Sequence, residues 1–201
     1  MSALSHPPPS PHVITLTPEG HREQLEQLKH ATSSGEVDGT ATRPTLLLIT
    51  AGVYEHPIHL TRGHWALRYL EGDPHVTPKE EVEGAPLQWR GPALLIGPQA
   101  HVRVEGVRLH ARLSAEGEGR APHGAIRCEG ELELSASSLS ASHGHALVGL
   151  GPCSLTLRDV SLHHAGRCGL YLDAGEEREG GEGARLTCEG CRFEWNGSDK
   201  A

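Results

Sequence analysis

Apolar and polar residues alternate along Leu155-Thr-Leu-Arg-Asp-Val-Ser-Leu162, with apolar positions at Leu155, Leu157, Val160 and Leu162. A glycine-bearing turn then leads to Leu170 and Leu172. The pattern recurs at Leu132, Leu134, Ser137 and Leu139, followed by Leu147, and again at Val102, Val104, Val107 and Leu109. A further copy runs Leu186, Cys188, Cys191, Phe193. From Val102 to Leu132 to Leu155 to Leu186 the intervals are 30, 23 and 31 residues, so the longer ones exceed the basic repeat by one short loop. Self-similarity at such a period is the mark of a solenoid.

A second motif follows each copy. Ala93–Ile96, Ala125–Cys128, Ala146–Gly149 and Gly169–Leu172 each give a small residue and then a mostly apolar short segment, and Leu46–Ile49 is read as opening this series. Each repeat therefore holds two or three period-2 strands with turns too short for a helix. Parallel strands joined by such short crossovers cannot be neighbours in an ordinary sheet, which needs a longer connection. They can lie one coil above another. The pattern predicts an all-β fold over 45–201, a single-stranded parallel β-helix of about five or six coils.

Upstream, residues 1–12 form a Pro-rich tail, read as disordered. The segment 13–44 holds a short strand at Val13–Leu16, a helix and a polar loop. Thr17 is placed as N-cap, with Pro18 at the first helical position and Leu25 and Leu28 on the apolar face to about Ala31. This helix is expected to cap the first coil, whose open edge would otherwise invite aggregation. Acidic or glycine-rich excursions at 72–84, 115–122 and 175–183 read as solvated insertions between coils.

The coils resemble those of the right-handed parallel β-helices of the pectate-lyase-like superfamily. Ala51-Gly-Val-Tyr-Glu-His-Pro-Ile58 is similar to a G-x-Y-x-E opening coil found there, and Asn196-Gly197 resembles the family's turn asparagine. Counting by the repeat, the positions equivalent to Asn196 are Arg112, Ser142 and Ala165, so an asparagine ladder is mostly missing. The resemblance covers roughly residues 45 to 197. It implies a fold that hosts many functions, so activity must be argued from side chains.

Composition narrows the field. A formal charge of −8 lacks the basic face of a nucleic-acid binder. No apolar run is long enough to span a membrane. The N-terminus has neither the basic start nor the apolar core of a secretory signal. Five cysteines, an odd number, favour free thiols and a cytoplasmic location over a disulfide framework. Cys188-Glu-Gly-Cys191 has the spacing of a zinc half-site, yet both residues fall on apolar columns of the repeat, and no second pair exists.

Candidate chemistry centres on the histidines, 15 in all. The repeat places His163 over Ser140, with His110 and Glu194 in equivalent positions. Strand parity turns this column outward, and with His143 and His145 it makes the candidate ligand-binding set. Enzymes of the resembled superfamily use clustered carboxylates, with Ca²⁺ in the lyases and paired acids in the hydrolases. No Asp-x-Asp or Asp-Asp pair exists here. Asp159, His163, His164 and Arg167 are what remains as a catalytic set.

Three functions follow. The first is a non-catalytic recognition or scaffold module for a protein partner or a glycan, resembling the carbohydrate-binding and sugar-hydrolysis-type β-helices of F-box and adaptor proteins. It takes no cofactor. The second is a lyase, hydrolase or epimerase acting on uronate-type glycans, with Ca²⁺ required only in the lyase case. The third is a structural solenoid whose open C-terminal coil joins a second copy into a homo-oligomer.

Overall fold

The computed structural model describes residues 12–34, 39–41, 43–70, 87–114, 122–174, 183–194 and 196–197. The Pro-rich tail up to residue 11 and most of the three acidic excursions lie outside the described residues.

Strands form where the sequence alternates, and they stack in three columns. The first stack holds β1 (Val13–Leu16), β2 (Thr45–Ile49), the second halves of β4 (Ile58–Tyr69) and β6 (Leu94–Glu105), then β9 (Glu131–Ser135), β12 (Ser154–Arg158) and β15 (Arg185–Glu189). The second stack is a separate 6-stranded sheet. It holds β3 (Gly52–Tyr54), β5 (Leu87–Trp89), β7 (Arg108–Ala111), β10 (Ser138–Ala141), β13 (Ser161–Ala165) and β16 (Arg192–Glu194). A third stack takes the first halves of β4 and β6 with β8 (Gly124–Cys128), β11 (His145–Leu150) and β14 (Leu170–Asp173). Because β4 and β6 continue through a corner without a break, the first and third stacks join into one 10-stranded sheet. All pairings between these strands are parallel. The result is a solenoid-like all-β chain with one N-terminal helix.

The repeat read from the sequence is the register of the structure. Val102, Leu132, Leu155 and Leu186 are successive Cα partners, as are Leu109, Leu139, Leu162 and Phe193. Their inward parity buries Leu132, Leu139, Leu155 and Leu162 almost completely, each worth roughly 1.5–3 kcal/mol of transfer from water.

Three expectations are corrected. Leu46–Ile49 does not open the Ala93 series: Leu46 pairs with Ala66, so β2 belongs to the first stack, with β1 paired on its other side. The helix α1 (His21–Ser34) starts after Pro18, because Thr17–Gly20 forms a turn in which Thr17 Oγ1 accepts from Gly20 N at 3.3 Å and Gln24 Oε1 accepts from Thr17 N at 2.9 Å. Leu25 and Leu28 do enter the common core. Finally, β13 carries one extra residue. Ser140 pairs with His163 but Ala141 pairs with Ala165, so His164 bulges out with φ 48°. That insertion shifts the later count by one. Asn196 therefore sits over Ala165 and continues to Ala141 and Ala111, not to Ser142 and Arg112. Its amide accepts from Ala165 N at 3.1 Å and donates to Leu162 O at 3.0 Å.

Between the first and second stacks, each coil turns on one left-handed residue. Gly106, Ala136, Asp159 and Gly190 occupy this column with φ of 69°, 47°, 53° and 64°. Backbone bonds rise from one turn to the next, from Gly106 N to Ser135 O, Ala136 N to Arg158 O and Asp159 N to Glu189 O.

Candidate functional site

Beside this turn column runs a groove of about 450 Å³. Its wall is the outward position of the second stack, where Arg108, Ser138, Ser161 and Arg192 are successive register partners. Its floor is the turn column itself, with Ala136, Asp159 and Gly190. Arg108, Asp159 and Arg192 are exposed, and none makes an ion pair among the described residues. Neighbouring strands lie about 4.8 Å apart, so the four wall residues form a ladder of two hydroxyls between two guanidinium groups, spanning roughly 14 Å.

The groove continues into a polar chain. Ser138 Oγ lies 2.7 Å from His163 Nε2, and His163 Nδ1 lies 2.7 Å from His164 Nδ1. The two rings meet edge to face, 5.0 Å apart. This geometry depends on the bulge: the left-handed turn at His164 brings two consecutive side chains to the same side, which a regular strand forbids.

The remaining candidates separate. Asp159 lines the groove, His163 and His164 adjoin it, and Arg167 lies at the next turn, where its backbone N–H donates to Gly144 O at 2.7 Å. The proposed catalytic set is thus not one cluster. The His110–Ser140–His163–Glu194 column exists in register, but the outward exposure expected from parity is not found for its first two members. His110 and Ser140 are 5% and 3% exposed, and His110 Nδ1 and Ser140 Oγ are hydrogen-bonded at 2.8 Å. Glu194 is exposed and His143 half-buried. His145 is buried, with its ring 4.8 Å from that of Tyr171. Burial, then the nearby Arg167 and His123 charges, hold the His145 pKa below the ordinary 6.5.

One cluster escaped the sequence reading. His64, His101 and Glu131 are register partners at the corner of the first stack. The imidazoles stack at 4.3 Å, and His101 Nδ1 lies 2.7 Å from Glu131 Oε2. With Trp65, Arg103 and Glu133 they line a cleft of about 210 Å³. Arg103 is already paired with Glu133 at 2.8 Å, and Arg68 with Glu105 at 2.9 Å. The only signal in the sequence was a His–His–Glu column, hidden by the irregular interval between His64 and His101. Among the described residues no group of three or more His, Cys, Asp or Glu is placed to hold a metal ion. No helix of the described residues is long and apolar enough to cross a membrane.

No protein-family model matches the chain, and no curated protein or solved structure matches it either.

Proposed function

We propose that this chain is a recognition module that binds a carboxylate-bearing glycan along the groove of the second stack. The observation that carries the reading is the Arg108–Ser138–Ser161–Arg192 ladder, with neither guanidinium group in an ion pair among the described residues. A guanidinium presents a planar fork that matches a carboxylate in two parallel hydrogen bonds. The serine hydroxyls and the Asp159 carboxylate supply donors and acceptors for sugar hydroxyls between those forks. A ladder rising one coil at a time suits an extended chain better than a compact small molecule. We further read the coils as right-handed and pectate-lyase-like, in line with the strong right-handed preference of parallel crossovers and with the Gly-Val-Tyr-Glu segment at 52–55.

Calorimetric titration with uronate oligomers, against neutral oligomers of equal length, tests this. Acidic oligomers should bind, and Arg108→Ala and Arg192→Ala should each weaken binding by about tenfold or more, the worth of one charge-assisted contact. Wild-type protein that ignores the acidic oligomers at millimolar concentration would remove the reading.

A second reading, a hydrolytic enzyme, has one observation in its favour. Ser138, His163 and His164 stand in the order nucleophile, base and orienting group, each joined to the next at hydrogen-bond distance. A fluorophosphonate probe that labels Ser138 in the wild type and not in His163→Ala would move the assignment to this class. Absence of labelling under forcing conditions would leave the groove to binding.

A further inference from the structure

The structure assigns the outer edge of β15 as the dyad contact of a homodimer, with two copies joined end to end and Thr187 facing Thr187. Among the described residues β15 pairs on one side only, with β12. All of its residues are exposed, and Leu172, Leu186 and Phe193, from β14, β15 and β16, are 38%, 41% and 49% exposed. These continue the columns that bury Leu155 and Leu162 in the coil beneath. Among the described residues nothing covers this face.

What covers it is set by the strand itself. Arg185 N donates to Cys153 O and Glu189 O accepts from Asp159 N, so the odd residues of β15 turn their backbone groups toward β12. Leu186 and Cys188 therefore turn theirs to the open edge. In antiparallel pairing about Thr187, Leu186 meets Cys188 of the second copy and exchanges both hydrogen bonds with it, twice over. Thr187 meets Thr187 as a non-hydrogen-bonded pair with closely set side chains. Parity agrees, since Leu186 and Cys188 lie on inward columns and Arg185, Thr187 and Glu189 on outward ones. Charge agrees as well, because Arg185 comes opposite Glu189 of the second copy at both ends. The segment Arg185-Leu-Thr-Cys-Glu189 is self-complementary only about its centre.

The order of the stacks gives the same axis. β14, β15 and β16 follow one another up the last described coil. A two-fold through the middle strand pairs β15 with itself and β16 with β14, so the rise of one copy compensates that of the other. An axis through β14 or β16 would leave a step open. This joint also places Phe193 against the leucines of β14 in the second copy, turning the exposed apolar ends into one continuous core.

Cysteine cross-linking and sedimentation test the assignment on the full chain. With Cys168, Cys188 and Cys191 replaced by serine, Thr187→Cys should oxidise to a species of twice the 21.5 kDa chain mass. Thr156→Cys, on the same outward column one coil below, should stay monomeric. By sedimentation the wild type should be a dimer. Glu189→Arg should raise the dimer Kd by about tenfold or more, and Arg185→Glu with Glu189→Arg should restore it. A monomeric wild type, or equal cross-linking at 156 and 187, would overturn the joint. A wild-type dimer without a cross-link at 187 would overturn its register. None of these readouts depends on glycan binding.

Discussion

Ser138 and His163 lie on neighbouring coils two register steps apart, yet Ser138 Oγ and His163 Nε2 meet at 2.7 Å. The link couples the tautomers of the two rings. His163 Nδ1 and His164 Nδ1 are also 2.7 Å apart, so in the neutral pair one of them carries the hydrogen. If His163 Nδ1–H donates to His164 Nδ1, His163 Nε2 is free to accept from the Ser138 hydroxyl, and all three groups are satisfied. Nitrogen-15 NMR at neutral pH should therefore show His163 protonated on Nδ1 and His164 on Nε2. Ser138→Ala should cost about 1 kcal/mol and increase the Nε2–H fraction of His163. Finding His163 in the Nε2–H form in the wild type would reverse the chain, with His164 Nδ1–H donating to His163 Nδ1 and His163 Nε2–H donating to Ser138 Oγ.

The turn between the first two stacks makes a stability prediction of opposite signs. Ala136 holds φ 47°, a conformation that costs a side-chain-bearing residue roughly 1–2 kcal/mol. Ala136→Gly relieves that strain, offset in part by the looser unfolded chain, and should stabilise by about 0.5–1 kcal/mol. Gly190 has φ 64°, and a methyl group there would press on Asp159 Oδ1. Gly190→Ala should destabilise by about 1–2 kcal/mol or more, and by less when Asp159 is also glycine, since the two sites are in contact. Urea melts of the four variants decide it, and equal costs in both backgrounds would rule out the Asp159 contact.

The same column shows what the sequence could and could not tell. Glu105-Gly106, Ser135-Ala136, Arg158-Asp159 and Glu189-Gly190 were recognisable as a turn, because each falls between two alternating segments at constant spacing. Core registers were legible for that reason too: one slipped residue would turn Leu155 and Leu162 to the outside. The His164 bulge was not legible. An added residue changes the count without changing the apolar pattern on either side, so the count carried back from Asn196 holds at Ala165 and is one residue off beyond the bulge, at Ser142 and Arg112. Burial of His110 and Ser140 was missed because parity tells the direction of a side chain and not what lies over it. The Ser138–His163 contact is diagonal, and a column-by-column reading compares only residues at equal height.

Two buried histidines should make the protein acid-sensitive. His21 is buried with its ring 4.8 Å from Tyr54 and its Nε2 2.6 Å from His56 O, while its Nδ1 has no partner among the described residues. His145 Nδ1 is likewise buried and without a partner among the described residues. Burial is the largest cause lowering both pKa values from 6.5, so each folded histidine stays neutral where the unfolded one takes up a proton. Below about pH 6.5 the unfolded state binds more protons, and stability falls as pH falls. Each histidine contributes a slope of up to about 1.4 kcal/mol per pH unit until its own folded pKa is reached. Thermal melts from pH 7.5 to 5 should show Tm dropping below pH 6.5, with a flatter profile in the His21→Asn, His145→Asn double variant. A Tm that rises on acidification would contradict the assignment.

Thiol chemistry distinguishes the interior of the stacks from their open edge. Cys128 and Gly149 are register partners on an inward column, where the missing side chain of Gly149 is filled by Cys153 Sγ and by Leu155 and Leu172 methyls. Burial pushes the Cys128 thiol up to about 12 and raises that of Cys153 as well, so neither has an accessible thiolate at neutral pH. Cys168 and Cys188 are exposed. Cys188 nevertheless lies on the inward column above Leu157, and burial, followed by the nearby Cys191, raises its thiol. Dithionitrobenzoate at pH 8 should therefore modify Cys168 first and Cys188 more slowly. Cys128 and Cys153 should react only at the rate of unfolding. Because Cys188 meets Leu186 across the proposed dyad, its reaction should slow further as protein concentration rises, whereas that of Cys168 should not change. A Cys188 rate independent of concentration across the range where sedimentation shows dimer would mean that the edge of β15 is not what the two copies share.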